Sequence, residues 1–316
     1  MVTGRKEHTA MAEQRRRTGE ADAGHRLRAP DALHAFNRYE VKYLVDEAKA
    51  ARVREEAAAR MRPDGHAGAG GGYQVWSLYY DTDRLRFYRE KIEGLRFRRK
   101  LRVRAYGPRH LVGEDTPVSV EIKQRVDRVT QKRRVMLPYR QARELCDRRV
   151  RVERPGADGA FTDEVLDLMH RLELRPAAMT GYVREAYVGA GADLGLRLTL
   201  DHRVRGRDRD FDLGAEAQNR FIVPPHLAVL EVKANERVPY WVTDLAARLD
   251  LQVVRVSKYC QSIEAHGLAP RSVFHVPVED PVAEARPAPV HRAAAHPAAL
   301  SALSSSPPTP PTGPLE

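Results

Sequence analysis

The chain has 316 residues, 42% of them hydrophobic, so it can bury a sizeable core. Lys and Arg outnumber Asp and Glu by 54 to 43, a net charge of +11. No apolar run approaches the ~20 residues of a membrane helix. The N-terminal stretch lacks the apolar centre of a signal peptide, and Cys146 and Cys260 are too few and too far apart for a disulfide framework or a zinc site. A cytoplasmic protein is the expectation.

In chain order, residues 1–34 are polar, without hydrophobic periodicity, and are predicted to be disordered. "HAFNRYEVKYLV" (34–45) reads as a strand. "DEAKAARVREEAAARM" (46–61) reads as a helix with acids in its first turn, ended by Arg62-Pro63. "GHAGAGGG" (65–72) reads as a flexible loop and "YQVWSLYYD" (73–81) as an aromatic-rich strand. A short helix or turn at 82–91 precedes strands near 95–106, 117–124 and 128–137. Helices are predicted near 139–149 and 161–172, the latter with Thr162 as its cap. Strands return near 179–188, 195–205 and 227–233. A helix near 239–249 and a strand-to-helix passage at 251–265 close the folded unit, predicted to span 35–268. The Pro/Ala/Ser-rich tail, 269–316, cannot bury enough apolar surface to fold. About eight strands with polar inner faces and short helices predict an α+β fold. Its centre is expected to be a closed, eight-stranded antiparallel β-barrel with peripheral helices.

The charge is not spread evenly. Between Arg84 and Arg134 there are 17 Lys and Arg against 6 Asp and Glu, an excess equal to the net charge of the whole chain. Such a concentration implies a polyanionic partner: nucleic acid, a phosphorylated small molecule or a phosphate polymer. The plainer reading is solvated surface charge.

The strand pattern decides between them. At the two-residue period of a strand, Arg98, Lys100, Arg102 and Arg104 share one face, and Leu101, Val103 and Ala105 the other. The same alternation sets Arg38, Glu40 and Lys42 against Tyr39, Val41 and Tyr43. It sets Ser119, Glu121 and Lys123 against Val118, Val120 and Ile122. Lys132 and Arg134 share a face, Arg197 and Thr199 alternate with leucines, and Glu231 and Lys233 alternate with Leu230 and Val232. Exposed ion pairs contribute only about 0–1 kcal/mol each, which gives no reason for such regularity. Rows of cations inside a barrel repel one another unless an anion or water fills the space. Arginine suits phosphate because its planar fork binds it through two hydrogen bonds. The carboxylates among the cations, Glu40, Glu121 and Glu231, have the chemistry to hold Mg²⁺ or Mn²⁺ bridging phosphate oxygens.

The stretches "RYEVKY", "SLYYDT", "LRVRAYG", "VSVEIKQ", "RLTLD", "LEVKAN" and "VSKYC", in this order and spacing, resemble the VTC domain. This is the polyphosphate polymerase domain of vacuolar transporter chaperone proteins, within the CYTH, or triphosphate tunnel metalloenzyme, superfamily. The resemblance covers roughly 35–265. It implies a basic tunnel barrel that holds a triphosphate, one divalent ion (Mn²⁺ or Mg²⁺), and transfer of the terminal phosphate of ATP to a growing polyphosphate chain. By position it implies phosphate-handling roles for Lys42, Arg102, Arg104, Lys123, Arg184, Arg197 and Lys258. Glu231 matches the metal-binding glutamate, with Glu40 and Glu121 as further acids. Arg38, Lys132, Arg134 and Lys233 are additional phosphate-binding candidates, with Lys132 and Arg134 as alternatives for one basic position. Arg38 stands where many superfamily members carry the first Glu of an ExExK pattern, which puts a two-metal hydrolytic site in doubt.

Tyr79, Tyr80 and Tyr106 read as packing residues, and Trp76 and Trp241 as core. No histidine sits in metal-binding spacing, and Arg15-Arg16-Arg17 reads as solvated charge. The expected partners are ATP and polyphosphate, with recruitment by a membrane protein left open. Nucleic acid is disfavoured because no recognition motif or interleaved exposed aromatics accompany the charge. A triphosphatase of the same fold and a non-catalytic polyphosphate- or nucleotide-binding module remain alternatives.

Overall fold

The computed structural model describes residues 38–66, 71–127, 129–235 and 237–278. The predicted disordered segment 1–34 lies outside them, as do residues 67–70 of the glycine loop. The chain divides at Val278, and the unit after it, Glu279–Glu316, is also outside the described residues. Residues 269–278, assigned from sequence to the tail, pack against the domain. Tyr88 donates to the Pro270 carbonyl, and Gln261 Nε2 donates to the Val276 carbonyl at 2.6 Å.

Among the described residues ten strands form one antiparallel sheet with six helices around it. Strand β1 (Arg38–Asp46) leads into α1 (Glu47–Arg60), whose first turn is capped by Asp46 accepting from the Lys49 N–H at 2.8 Å. The short β2 (Met61–Pro63) and then β3 (Tyr73–Asp81) follow, then α2 (Arg86–Ile92). A meander comes next: β4 (Phe97–Tyr106), β5 (Pro117–Val126) and β6 (Val129–Pro138). Helices α3 (Tyr139–Cys146) and α4 (Gly156–Arg171) precede β7 (Arg175–Gly189) and β8 (Arg197–Arg207). The two-residue β9 (Arg220–Phe221), β10 (Leu227–Asn235), α5 (Tyr240–Arg248) and α6 (Lys258–Ala265) complete the order. Helix α4 begins six residues before its predicted cap. Thr162 lies inside it, and its hydroxyl donates to the carbonyls of Gly159 and Val152.

The strand order is β1-β10-β8-β7-β3-β4-β5-β6, with β2 added on β7 and β9 on β8. The sheet is therefore open, and the expected closed barrel is not formed. The reason is at β1. Midway along, its outer backbone edge is taken by the segment entering α6: Tyr43 bridges Val253, and the Val254 N–H donates to the Lys42 carbonyl at 2.8 Å. With those groups satisfied, β1 has nothing to offer β6 there. The sheet nevertheless curls strongly. Glu40 on β1 and Lys123 on β5, six strands apart in the order, are joined by an ion pair of 3.3 Å.

The alternation read from sequence sorts cleanly onto the two faces. On the convex side Trp76, Leu78, Tyr80, Leu101, Val103, Val118, Val120, Val135 and Leu137 pack under α3 and α4. A second apolar cluster, with Leu198, Leu200, Leu230 and Val232, lies under α1 and α5; Ala50, Val53 and Ala57 supply the α1 stripe. The concave side carries the charges, and α6 packs on it. Tyr259 stacks on Tyr79 with ring centroids 5.1 Å apart. Both cysteines are buried and unbonded to each other.

Gly181 on β7 lies beneath the Trp76 ring, and a Cβ placed there would sit 2.3 Å from it. Neither the ring nor the strand can retreat from a packed core. Gly181→Ala is therefore expected to destabilise by about 1–3 kcal/mol. Thermal denaturation checks it: an unchanged midpoint would show that the ring has room to move.

Candidate phosphate site

Strand register turns separate rows of charge into one continuous band. Across β3, β4, β5 and β6, Ser77 opposes Arg104, Tyr79 opposes Arg102, Glu121 opposes both Arg102 and Arg134, and Lys123 opposes both Lys100 and Lys132. Across β1, β10, β8 and β7, Lys42 opposes Glu231, Glu40 opposes Lys233, Lys233 opposes Arg197, and Asp201 opposes Arg184. Directly paired residues share a face, so all of these lie on the concave side and form two walls of a trough.

On the first wall Arg102 donates through Nε to Glu121 at 2.7 Å. Glu121 also accepts from the Ser119 hydroxyl at 3.1 Å and pairs with Lys132 at 2.9 Å. Burial would raise the Glu121 carboxyl, but Arg102, Arg104 and Lys132 outweigh it and hold it far below the usual carboxylate range. Arg104 is only 6% exposed, and among the described residues its one hydrogen bond runs from Nε to the Ser77 hydroxyl at 2.9 Å. Lys100 likewise meets a neutral group, donating to Ser257 Oγ at 2.7 Å, and burial pulls its pKa down. Tyr79 accepts from Arg102 at 3.3 Å. Burial favours its neutral phenol, yet Arg102, Arg104 and Lys100 prevail and bring the group down to about 7.

The second wall is organised by Asp201, which has no solvent exposure. It receives the Arg184 guanidinium fork at 2.7 and 2.8 Å and the Lys258 ammonium at 2.5 Å. Burial opposes its charge, but Arg184 and Lys258 prevail and lower its pKa to about 2. Beside it the carboxyls of Glu231 and Glu40 lie within hydrogen-bonding reach of each other. Lys233 pairs with Glu231 at 3.0 Å and Lys42 with Glu40 at 3.2 Å. Against the effect of burial, Lys42 and Lys233 hold Glu231 well below the ordinary range. Lys42 also donates to the Val256 carbonyl at 3.1 Å, which ties β1 to the entry of α6.

The structure thus gathers Lys42, Arg102, Arg104, Lys123, Arg184, Lys233 and Lys258 along the trough. Arg197 turns to one end, where it donates to Asp64 at 2.6 Å beside the Tyr73 hydroxyl. Arg134 is exposed, and the Arg38 side chain is outside the described residues. The three glutamates are not brought together. Glu40 and Glu231 meet, whereas Glu121 is held by Arg102 and Lys132 on the other wall. Among the described residues no three His, Cys, Asp or Glu side chains converge as a metal-binding group. Four contributors were not assigned from sequence: Asp201, Lys100, Tyr79 and Asp64. Asp201 continues the Arg197–Thr199 alternation and Lys100 sits within the arginine row, so the period itself carried that signal. Nothing local marks Asp64.

A family model described as the VTC domain matches residues 37–266. The chain belongs to the VTC domain family. No curated protein matches this chain. Among solved structures, a Bacillus halodurans protein assigned provisionally as an adenylate cyclase is 14% identical. That match covers 70% of this chain and 95% of its own, with a TM-score of 0.40. A Pyrococcus horikoshii protein is also 14% identical, with 73% and 99% covered and a TM-score of 0.37. At such scores neither likeness carries weight, and what is said below of this VTC domain rests on its family and its own geometry. No helix among the described residues is long and apolar enough to cross a membrane.

Two outcomes follow for the trough. Asp201→Asn takes the nearest counter-charge from the buried Arg184 and Lys258, leaving Arg184 only the more distant Glu231 at 3.9 Å, a loss of about 3 kcal/mol. Because the Asp201 pKa is depressed, its contribution is fully present above the ordinary value of 3.8 and fades as pH falls toward 2. The gap in stability between wild type and Asp201→Asn is therefore expected to narrow across that window, measured by denaturant unfolding at each pH. Separately, ultraviolet titration is expected to show one tyrosine ionising near pH 7 that Tyr79→Phe removes. A titration identical in both proteins would place Tyr79 outside the field of the arginines.

Proposed function

We propose that this VTC domain is a polyphosphate polymerase-type phosphotransferase that moves the terminal phosphate of ATP onto a growing polyphosphate chain. Family membership supports the coarser reading, a triphosphate-binding protein of phosphoryl-transfer type. The observation that carries the proposal is the state of Arg104 and Lys100. Both are partly or wholly withdrawn from water on a concave face, yet among the described residues their hydrogen bonds go to serine hydroxyls, and the nearest carboxylate, Glu121, reaches Arg104 only through space. A buried cation with a neutral partner is costly unless an anion completes its shell. Placed between the walls, a triphosphate would meet Arg104, Arg102 and Lys100 on one side and Arg184, Lys258 and Lys42 on the other.

In this reading the protein supplies position and charge, and no covalent enzyme intermediate is needed. The forked Arg102 and Arg104 orient phosphate oxygens, and Asp201 holds Arg184 and Lys258 in place toward the same space. Glu231 and Glu40 form the anionic donor pair suited to one hard divalent ion, Mn²⁺ or Mg²⁺, which binds through one or two carboxylates plus substrate phosphates. That ion, when bound, would neutralise charge on the phosphate oxygens. Glu121, committed to Arg102 and Lys132, orients cations instead.

Incubation with ATP and Mn²⁺ is expected to yield long phosphate chains. Release of free phosphate alone would make the protein a triphosphatase, and binding without turnover a module. Glu231→Gln is expected to keep the fold and lose most metal-dependent turnover. Arg104→Ala is expected to fold normally and to lose most of the thermal stabilisation that a non-hydrolysable ATP analogue gives the wild type. An undiminished shift in Arg104→Ala would remove the trough as the nucleotide site.

A further inference from the structure

On the convex side of the sheet, away from the trough, two arginines lie over Trp76 and a third, Arg207, is buried beside them within reach of the Arg109 charge. The Arg109 guanidinium lies 5.0 Å from the Trp76 ring centroid and that of Arg205 5.2 Å. Arg207, two residues along β8 from Arg205, is 1% exposed. Four buried donor atoms of this cluster have no hydrogen-bond partner among the described residues: Nη1 of Arg109, Nε of Arg205, and both Nε and Nη1 of Arg207.

The acids nearby do not meet these donors. Glu216 lies 3.5 Å from Arg109 Nη2, but its side chain is 98% exposed. Asp212 gives Arg207 only its backbone carbonyl, at 2.6 Å to Nη2. Its carboxylate instead accepts from the Gly214 N–H and the Tyr139 hydroxyl and stands 3.6 Å from Arg143. Asp210 and the Asp212 carboxylate still act on Arg207 through space. Burial first, and then Arg109, weaken the proton affinity of Arg205 and Arg207. Arg109 repels both Arg205 and Arg207, each guanidinium keeps at least one buried N–H unmet, and what would complete them is an acceptor of high charge with several oxygens.

We propose that Arg109, Arg205 and Arg207 form a second oxyanion site, for a phosphate group, on the opposite face of the sheet from the trough. The group would be free orthophosphate or the terminal phosphate of a longer chain, since both offer the same tetrahedral set of oxygens. The site does not rest on the phosphotransferase reading, because it shares no residue with the trough. Trp76 makes it observable, as an anion that reorganises the two guanidiniums beside the ring changes its emission.

The test is a tryptophan-fluorescence titration with inorganic phosphate and, in parallel, tripolyphosphate. Wild type and Arg104→Ala are expected to show the same saturable change with phosphate. Arg109→Gln and Arg207→Met are each expected to weaken it by about tenfold or more, the loss of one charge-assisted contact. The same two variants should keep the thermal shift given by the ATP analogue. Phosphate binding tighter than tripolyphosphate would mark the free ion as the ligand, and the reverse a chain end. Arg109 lies in a surface turn, so its variant tests the site even if Arg207→Met fails to fold. No saturable change in wild type, or an equal change in wild type and Arg109→Gln, would reduce the cluster to packing around Trp76.

Discussion

The rest of the concave face depends on one buried carboxylate. Asp201 neutralises Arg184 from the next strand and Lys258 from a helix far along the chain. Without it, two cations would face each other in a space with little water, where their repulsion is poorly screened. With it, α6 is anchored to the sheet by charge. The helix then brings Ser257 to Lys100, and Tyr259 to Asp81 and Tyr79. The cation row is thus assembled around a fixed negative centre and does not merely line an empty space.

The two walls differ in how their charge is compensated. On the second wall nearly every cation has a carboxylate, and Glu40, Glu231 and Asp201 divide the work. On the first wall Glu121 alone serves Arg102 and Lys132, and Arg104 and Lys100 turn to hydroxyls. The trough therefore has a saturated side and an unsaturated side. A polyanion gains most on the unsaturated side and meets cations that are already oriented on the other. Such a division keeps the unliganded protein from unfolding under its own charge while retaining an appetite for phosphate.

Much of this was legible in the sequence, because a period of two is difficult to mistake when arginine alternates with valine. The faces of β4, β5 and β10 follow directly from "LRVRAYG", "VSVEIKQ" and "LEVKAN". What the pattern does not hold is which edges meet. Closure was expected from the number of strands and the polar inner face. Instead Val253 and Val254, at the start of the predicted strand-to-helix passage, take part of the outer edge of β1. Asp64 was invisible for a related reason, since its role comes from a turn that folds back on Arg197 and Tyr73. Thr162 was misplaced as a cap because Gly156, at φ +59°, lets the helix start earlier than its polar residues advertise.

The unpaired seam between β1 and β6 has a topological meaning for a long ligand. A ring of hydrogen-bonded strands admits a polymer only by one of its ends. A curled sheet whose rims are joined by side chains is closed more lightly. The Glu40–Lys123 pair can part without breaking any backbone ladder. The segment 254–257 runs along the same rim, bonded to Lys42 on β1 and to Lys100 on β4, so opening this side means moving that segment as well as parting the pair.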